Sequence, residues 1–217
     1  MRKKTLLFGF LTFLITVNIN GQNSTEFGIK AGANYAQYTP DFKVGGNDFV
    51  DYKRKLGFYV GGFVNIEIAD KIKVQPELLF AIQGTSVLIE DVQVTDSDGF
   101  FTTVSDYESN INESTISIPV VVQYLFNDKF YMEGGPQFGY IIDRKEKIKK
   151  DPFEEFGGID DPNSDFDYDK FDLGLSFGFG YRLTENLGIN TRYFFGLIER
   201  NNTIKSSVLN LGIEYKL

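Results

Sequence analysis

The last eleven residues, Ser207–Leu217, read SVLNLGIEYKL. Leu209, Leu211, Ile213, Tyr215 and Leu217 take every second position, with Asn210, Gly212, Glu214 and Lys216 between them. A period of two is that of a β-strand with one apolar and one polar face. Chain ends commonly fray into polar residues. A strand that keeps its apolar face to the final residue is therefore expected to close a sheet.

The same pattern recurs upstream. In Lys170–Leu183, Phe171, Leu173, Leu175, Phe177, Phe179, Tyr181 and Leu183 alternate with Asp172, Gly174, Ser176, Gly178, Gly180 and Arg182. Leu187–Leu197 sets Ile189, Thr191, Tyr193 and Phe195 against Asn190 and Arg192. Further strands are expected at Glu26–Ala36, at Leu56–Ile68, from Ile72 through Gln83, at Ser114–Phe126 and at Phe130–Ile142. With the terminal strand these make eight. Pro76 cannot donate to a ladder, so a bulge or a weak pairing is expected beside it.

The connections alternate in length. Ala69–Lys71, Asn127–Lys129 and Thr184–Asn186 are tight turns, whereas Gln37–Lys55, Asp143–Asp169 and Glu199–Lys205 read as polar loops. Between Thr85 and Asn110 the chain is polar but still strand-like, and Asp98-Gly99 is a hairpin signal. A two-stranded arm is expected there. An even number of strands with short turns at one end and long loops at the other is the layout of outer-membrane barrels.

Composition agrees. Phe (22), Tyr (12) and Gly (22) are abundant among the 217 residues, while Cys, His and Trp are absent. Without Cys there are no disulfides, thiolate metal sites or thiol nucleophiles. Without His the commonest general base is missing. The net charge of −8 disfavours a nucleic-acid partner. A mean hydropathy of only −0.18 suits a membrane barrel, whose strands are half polar.

Met1-Arg2-Lys3-Lys4 followed by the apolar run Leu6–Ile19 has the form of a secretory signal peptide. The run falls short of the ~18–20 residues of a spanning helix. Cleavage after Gly21 is expected, giving residues 1–21 as signal and 22–217 as the barrel domain. Losing Arg2, Lys3 and Lys4 would take the charge from −8 to −11.

Which face points inward decides between a soluble and a membrane barrel. The polar faces carry Lys30, Lys73, Arg182, Arg192 and Lys216 against Glu67, Glu77, Glu133, Asp172 and Glu214, and many glycines. Small residues suit the crowded interior of a narrow barrel. The other faces carry Phe, Leu, Ile and Val, with Tyr35, Tyr124, Tyr140, Tyr181 and Tyr215 near strand ends, where interfacial aromatics sit. The expected fold is all-β: an eight-stranded antiparallel up-and-down transmembrane β-barrel with short periplasmic turns and long extracellular loops.

FGIKAGANY, KVQPELLFAIQG, ISIPVVVQYLF, YMEGGPQFGYII, FDLGLSFGFGYRL, RYFFGL and LNLGIEYKL together resemble the PorT-like outer-membrane β-barrel (porin-family) proteins of Bacteroidota. The resemblance implies insertion by the barrel-assembly machinery. The name-giving member assists type IX secretion, while most relatives are uncharacterised.

The ten inward charges are expected to form a network that fills the lumen, with Glu77, Glu133, Arg182 and Arg192 at its centre. Glu77 and Glu133 could instead be a catalytic pair, but nothing in the sequence places them beside a substrate, so no enzymatic activity and no cofactor is expected. Asp161, Asn163, Asp165, Asp167 and Asp169 offer oxygens at alternate positions, as calcium requires. Phe166 stands where an EF-hand needs glycine, so a solvated acidic loop is the simpler reading. Phe42, Phe49, Phe100, Phe101, Phe153, Phe156 and Phe166 fall in the outer loops and offer contacts to lipopolysaccharide, an extracellular protein or another ligand. The expected function is a small outer-membrane barrel of structural or binding type, working through acidic external loops. A narrow channel for ions or small solutes, or an accessory to type IX-like secretion, are the alternatives.

Overall fold

The computed structural model describes residues 25–44, 47–95, 102–154, 168–201 and 204–217. They form nine strands: β1 Thr25–Thr39, β2 Phe42–Val44, β3 Asn47–Ala69, β4 Ile72–Thr95, β5 Thr102–Leu125, β6 Phe130–Lys150, β7 Phe171–Arg182, β8 Leu187–Gly196 and β9 Lys205–Lys216. Eight of them pair in the order β1-β9-β8-β7-β6-β5-β4-β3, and β3 pairs back to β1. The ring is closed and every pairing is antiparallel. The three-residue β2 only lines the start of β3.

The terminal strand does close the ring. β9 pairs with β8 from Leu187↔Tyr215 to Phe195↔Ser207, and with β1 from Gly28↔Lys216 to Thr39↔Lys205. Closure removes the free edges that an open sheet would expose.

The three tight turns lie at one end. The Asn127 side chain accepts from the Lys129 and Phe130 N–H groups at 2.9 and 2.8 Å. The Thr184 hydroxyl accepts from the Asn186 and Leu187 N–H groups at 3.3 and 3.0 Å. Such side chains satisfy a turn's backbone donors in place of a longer loop.

Alternation sorts the faces as the sequence predicts. On β1, Phe27, Ile29 and Tyr35 are exposed outward, while Lys30, Asn34 and Ala36 are buried. On β7, Phe171, Phe177, Phe179 and Tyr181 point outward and Asp172 and Ser176 inward. The apolar surface is outside and the charges are inside, the reverse of a water-soluble barrel. Glycines open space for lumen rings: a Cβ on Gly28 would lie 2.1 Å from the Phe63 ring, and one on Gly180 2.0 Å from Tyr131.

Pro76 is accommodated without a bulge toward β3. The ladder runs Phe63↔Glu77 and resumes at Ile66↔Val74 in the same register, leaving a weak stretch at the proline.

Strand reaches into two of the segments read as loops. β3 begins at Asn47, inside the expected Gln37–Lys55 loop, and β6 runs on to Lys150 rather than stopping at Ile142. The expected two-stranded arm is therefore part of a four-stranded extension. β4 and β5 pair out to Thr95↔Thr102, β3 joins from Asp51↔Leu88 to Arg54↔Thr85, and β6 from Glu108↔Lys150 to Ser114↔Asp143. We call this extension the collar. At ~3.3 Å per residue the 24 residues of β4 span roughly 80 Å, far more than the ~25 Å apolar band of a membrane barrel. Polar composition hid these strands, because the collar's outer face lies beyond the lipid and its inner face mixes apolar with polar residues, so the simple alternation is lost.

Bulges mark the passage from barrel to collar. Between β5 and β6 the register shifts at Ser114/Thr115, with Ile142 as the extra residue. The side-chain parity of β6 flips there. β3 and β4 shift between Arg54 and Phe58. The collar's inner face packs Val87 and Ile111 on Tyr38, with Val50, Tyr52, Ile89 and Ile204 around them. This cluster roofs the barrel mouth.

Candidate functional site: the charged lumen

The inward side chains form three tiers. At the centre Arg192, on β8, reaches across the lumen. Its Nε donates to Glu133 Oε1 at 2.7 Å, its Nη1 to Glu77 Oε2 at 2.8 Å, and its Nη2 to Glu77 Oε1 at 2.7 Å. Lys30 on β1 donates to Glu77 at 3.0 Å and lies 3.5 Å from Glu214 of β9. All five are buried. Ion pairs here are unscreened and charge-assisted.

Neutral groups complete this tier. Gln75 Nε2 donates to Glu77 at 2.8 Å and Gln123 Nε2 to Glu133 at 3.1 Å. Asn65 donates to both glutamine oxygens, at 2.7 and 2.9 Å. The Tyr131 hydroxyl donates to Glu214 at 2.6 Å, and Asn190 donates to its second oxygen at 3.3 Å. Two cations thus face three carboxylates, and the third carboxylate is held by Tyr131, Asn190 and Lys30.

The turn-end tier holds Lys73, 3.5 Å from Glu67 and 3.4 Å from Glu26, and Lys216, 2.7 Å from Glu26. The mouth tier holds Asp172 of β7, Glu113 of β5 and Arg200 from the β8–β9 loop. Arg200 donates to both Glu113 oxygens at 2.9 and 3.3 Å and to Ser206 at 3.1 Å. Its Nε stands 4.0 Å from Asp172. Tyr38 donates to Glu113 at 2.5 Å, and its ring lies 5.1 Å below the guanidinium carbon of Arg200. Asp172 Oδ1 and Arg200 Nε have no hydrogen-bond partner among the described residues.

Between centre and mouth lies a cavity of about 20 Å³ lined by Lys30, Tyr59, Gln83, Ser117, Gln137 and Arg192, among others. That is room for about one water. Tyr59, Leu79 and Ala81 form an apolar cluster at its edge.

Of the ten lumen residues expected from sequence, Lys30, Glu77, Glu133, Arg192 and Glu214 come together at the centre. Glu67, Lys73 and Lys216 meet near the turns, and Asp172 sits at the mouth. Arg182 is not central: it ends β7 and its Nη1 donates to the Asp128 carbonyl at 3.4 Å, level with a turn. Sequence reasoning missed Glu113, Arg200, Tyr131 and the Gln75–Gln123–Asn65 triad. Tyr131 and Gln75 were legible as inward by alternation. Glu113 and Arg200 lay in stretches that read as polar arm and loop. Of the calcium candidates, Asp161, Asn163, Asp165 and Asp167 lie outside the described residues. Asp169 instead exchanges hydrogen bonds with Asn201: its N–H donates to Asn201 Oδ1 at 2.9 Å and its Oδ2 accepts at 2.7 Å. Among the described residues no cluster of three or more carboxylates is arranged to hold a metal. Of the loop phenylalanines, Phe100, Phe101, Phe156 and Phe166 are also outside the described residues, and Phe153 is exposed.

A closed eight-stranded ring with an apolar exterior and a charged interior defines the class of outer-membrane β-barrels. The profile of the family described as "outer membrane protein beta-barrel domain" matches residues 20–200, and the chain belongs to that family. Its place is the bacterial outer membrane. Among solved structures, it is similar to Neisserial surface protein A (14% identity, TM-score 0.52, covering 89% of this chain and 99% of that one). It is also similar to OprG of Pseudomonas aeruginosa (17% identity, TM-score 0.51, covering 92% and 99%). At such identities the likeness concerns the fold. No curated protein matches the chain.

Proposed function

We propose that this small outer-membrane barrel is a plugged scaffold of structural or binding type rather than a channel or an enzyme. The observation that carries this reading is the central tier: Arg192 bridges Glu77 and Glu133 across the lumen, and the cavity between this tier and the mouth is about 20 Å³. A barrel blocked in this way acts through its ends. The tight-turn end with both termini is periplasmic, and the collar with the acidic loops is extracellular, following the usual asymmetry of such barrels. The collar and loops then meet lipopolysaccharide, an extracellular protein or another ligand. Residues 1–21 act as a cleaved signal and the barrel-assembly machinery inserts the rest.

The motif set resembles that of the PorT-like proteins of Bacteroidota, and on that resemblance an accessory role in type IX-like secretion is the second reading. Planar-bilayer recording tests the first. The purified protein is expected to give no steady single-channel currents. Steady currents that Arg192→Ala alters would overturn the plugged reading. Sequencing the mature N-terminus tests the signal, which predicts a start at Gln22.

A further inference from the structure

The outward face of the collar, just above the apolar belt, carries a basic patch on an otherwise acidic chain. The register aligns Lys53, Ser86, Asn110 and Lys147 in one row across four strands. The row nearer the belt contains Gly84, Asn112 and Lys145, with Lys55 reaching it from β3. No carboxylate falls in either row. Acidic residues flank the patch on both sides, at Asp51 and Glu108 paired through Leu88 in the next row out and at Asp143 in the row below. The Ile142 bulge creates this pattern. By flipping the parity of β6 it sends Lys145 and Lys147 outward and turns Arg144 and Glu146 inward, where Glu146 accepts from Ser109 at 2.6 Å.

The patch is also rich in donors. Lys55 donates to Asn112 Oδ1, and Ser86 donates to Asn110 Oδ1 at 2.6 Å. Each asparagine uses its oxygen within the sheet, so what it has left to offer is its N–H₂ group. The acids nearest the lysines hold them loosely: Lys145 is 3.5 Å from Asp143 and Lys53 is 3.8 Å from Asp51, with all four side chains open to solvent. Such pairs contribute little. Partial burial and the nearby charge of Lys149 hold the Lys55 ammonium below the usual lysine range. Lysines on the open edge of β6 would guard against edge pairing, but that role does not require clearing acids from two rows spanning four strands.

We propose that this face binds the phosphate-bearing headgroup of an outer-leaflet glycolipid, through Lys53, Lys55, Lys145, Lys147 and the Asn110 and Asn112 amides. Leu56 is exposed directly below Lys55, and Ile116, Tyr140 and Ile142 are exposed below Asn112 and Lys145. A lipid whose chains lie on that belt presents its phosphates at the height of the lysines. Clustered lysines at a membrane surface bind anionic headgroups in this way. The inference rests on the collar being extracellular.

The test uses the full chain folded in detergent micelles and titrated with bacterial lipopolysaccharide, the same glycolipid stripped of phosphate, and inorganic phosphate. The phosphorylated glycolipid is expected to bind at least about tenfold more tightly than either alternative, and salt should weaken it. Replacing the four lysines together, Lys53→Gln, Lys55→Gln, Lys145→Gln and Lys147→Gln, should abolish the difference while the heat-modifiable gel shift persists. Equal binding of the stripped glycolipid, or a folded variant that keeps the preference, would overturn the proposal. Inorganic phosphate binding as tightly as the glycolipid would overturn the lipid assignment. If the variant does not fold, the comparison of ligands and salt on the unaltered chain still decides. Sidedness is tested separately. The chain lacks Cys, so a Leu88→Cys variant on intact cells should react with a membrane-impermeant maleimide. Failure to react would refute the extracellular collar, whatever the micelle titration shows.

Discussion

Arg192 is the residue on which the lumen turns. It is fully enclosed and its three nitrogens all bond carboxylates of Glu77 and Glu133. Arg192→Ala would leave both carboxylates without their chief partner in a place water barely reaches. A loss of about 3–5 kcal/mol is expected, read as a lower temperature for the shift between folded and unfolded gel bands. Arg192→Lys should recover only part of it, because a point charge cannot bridge two carboxylates as a planar fork does. Tyr131→Phe removes the 2.6 Å bond to Glu214 and should cost about 1–2 kcal/mol by the same measurement. At this scale the period of two revealed which charges point inward. Which of them meet depended on register around the ring. Arg200 and Glu113 are 87 positions apart in sequence and become partners only when the β8–β9 loop folds over the mouth.

The strands show the same division. The terminal strand was fully legible, because its outward side meets an apolar solvent and its inward side a polar lumen. Its neighbours follow from closure: β9 carries ladders to both β1 and β8. Deleting Ser207–Leu217 would open both ladders. A chain ending at Ser206 is expected to yield no heat-modifiable band from outer membranes, and a folded band there would refute this. The collar strands were only partly legible. The collar's inner face mixes Val87 and Ile111 with Ser109, and its outer face is wet, so no clean alternation marks it. The collar tip should be dispensable for folding. Removing residues 91–105 and joining Glu90 to Asp106 through Asn-Gly should leave the gel shift within a few degrees of the original, since the ring pairings all lie below the cut. Loss of the folded band would show that the collar takes part in closure.

For the whole molecule, burial is inverted relative to a soluble domain. Among the described residues the largest fully enclosed side chains are mostly polar, Lys30, Gln75, Gln123, Glu113, Asn34 and Asn65 among them, while phenylalanines cover the outside. Such a fold is stable only where its exterior meets lipid. Inside, satisfied hydrogen bonds replace apolar packing. The sequence by itself determined the eight strands of the ring, the sorting of each into two faces, and the membrane as solvent. Those properties are local, since alternation acts between neighbouring residues and needs no knowledge of the partner strand. Only the tertiary structure decided that the inward charges divide into three tiers, that a loop arginine closes the mouth, and that a single-residue bulge turns Lys145 and Lys147 outward above the belt. Each of these depends on register between strands distant in sequence. A one-residue shift in register sends every following side chain to the other face.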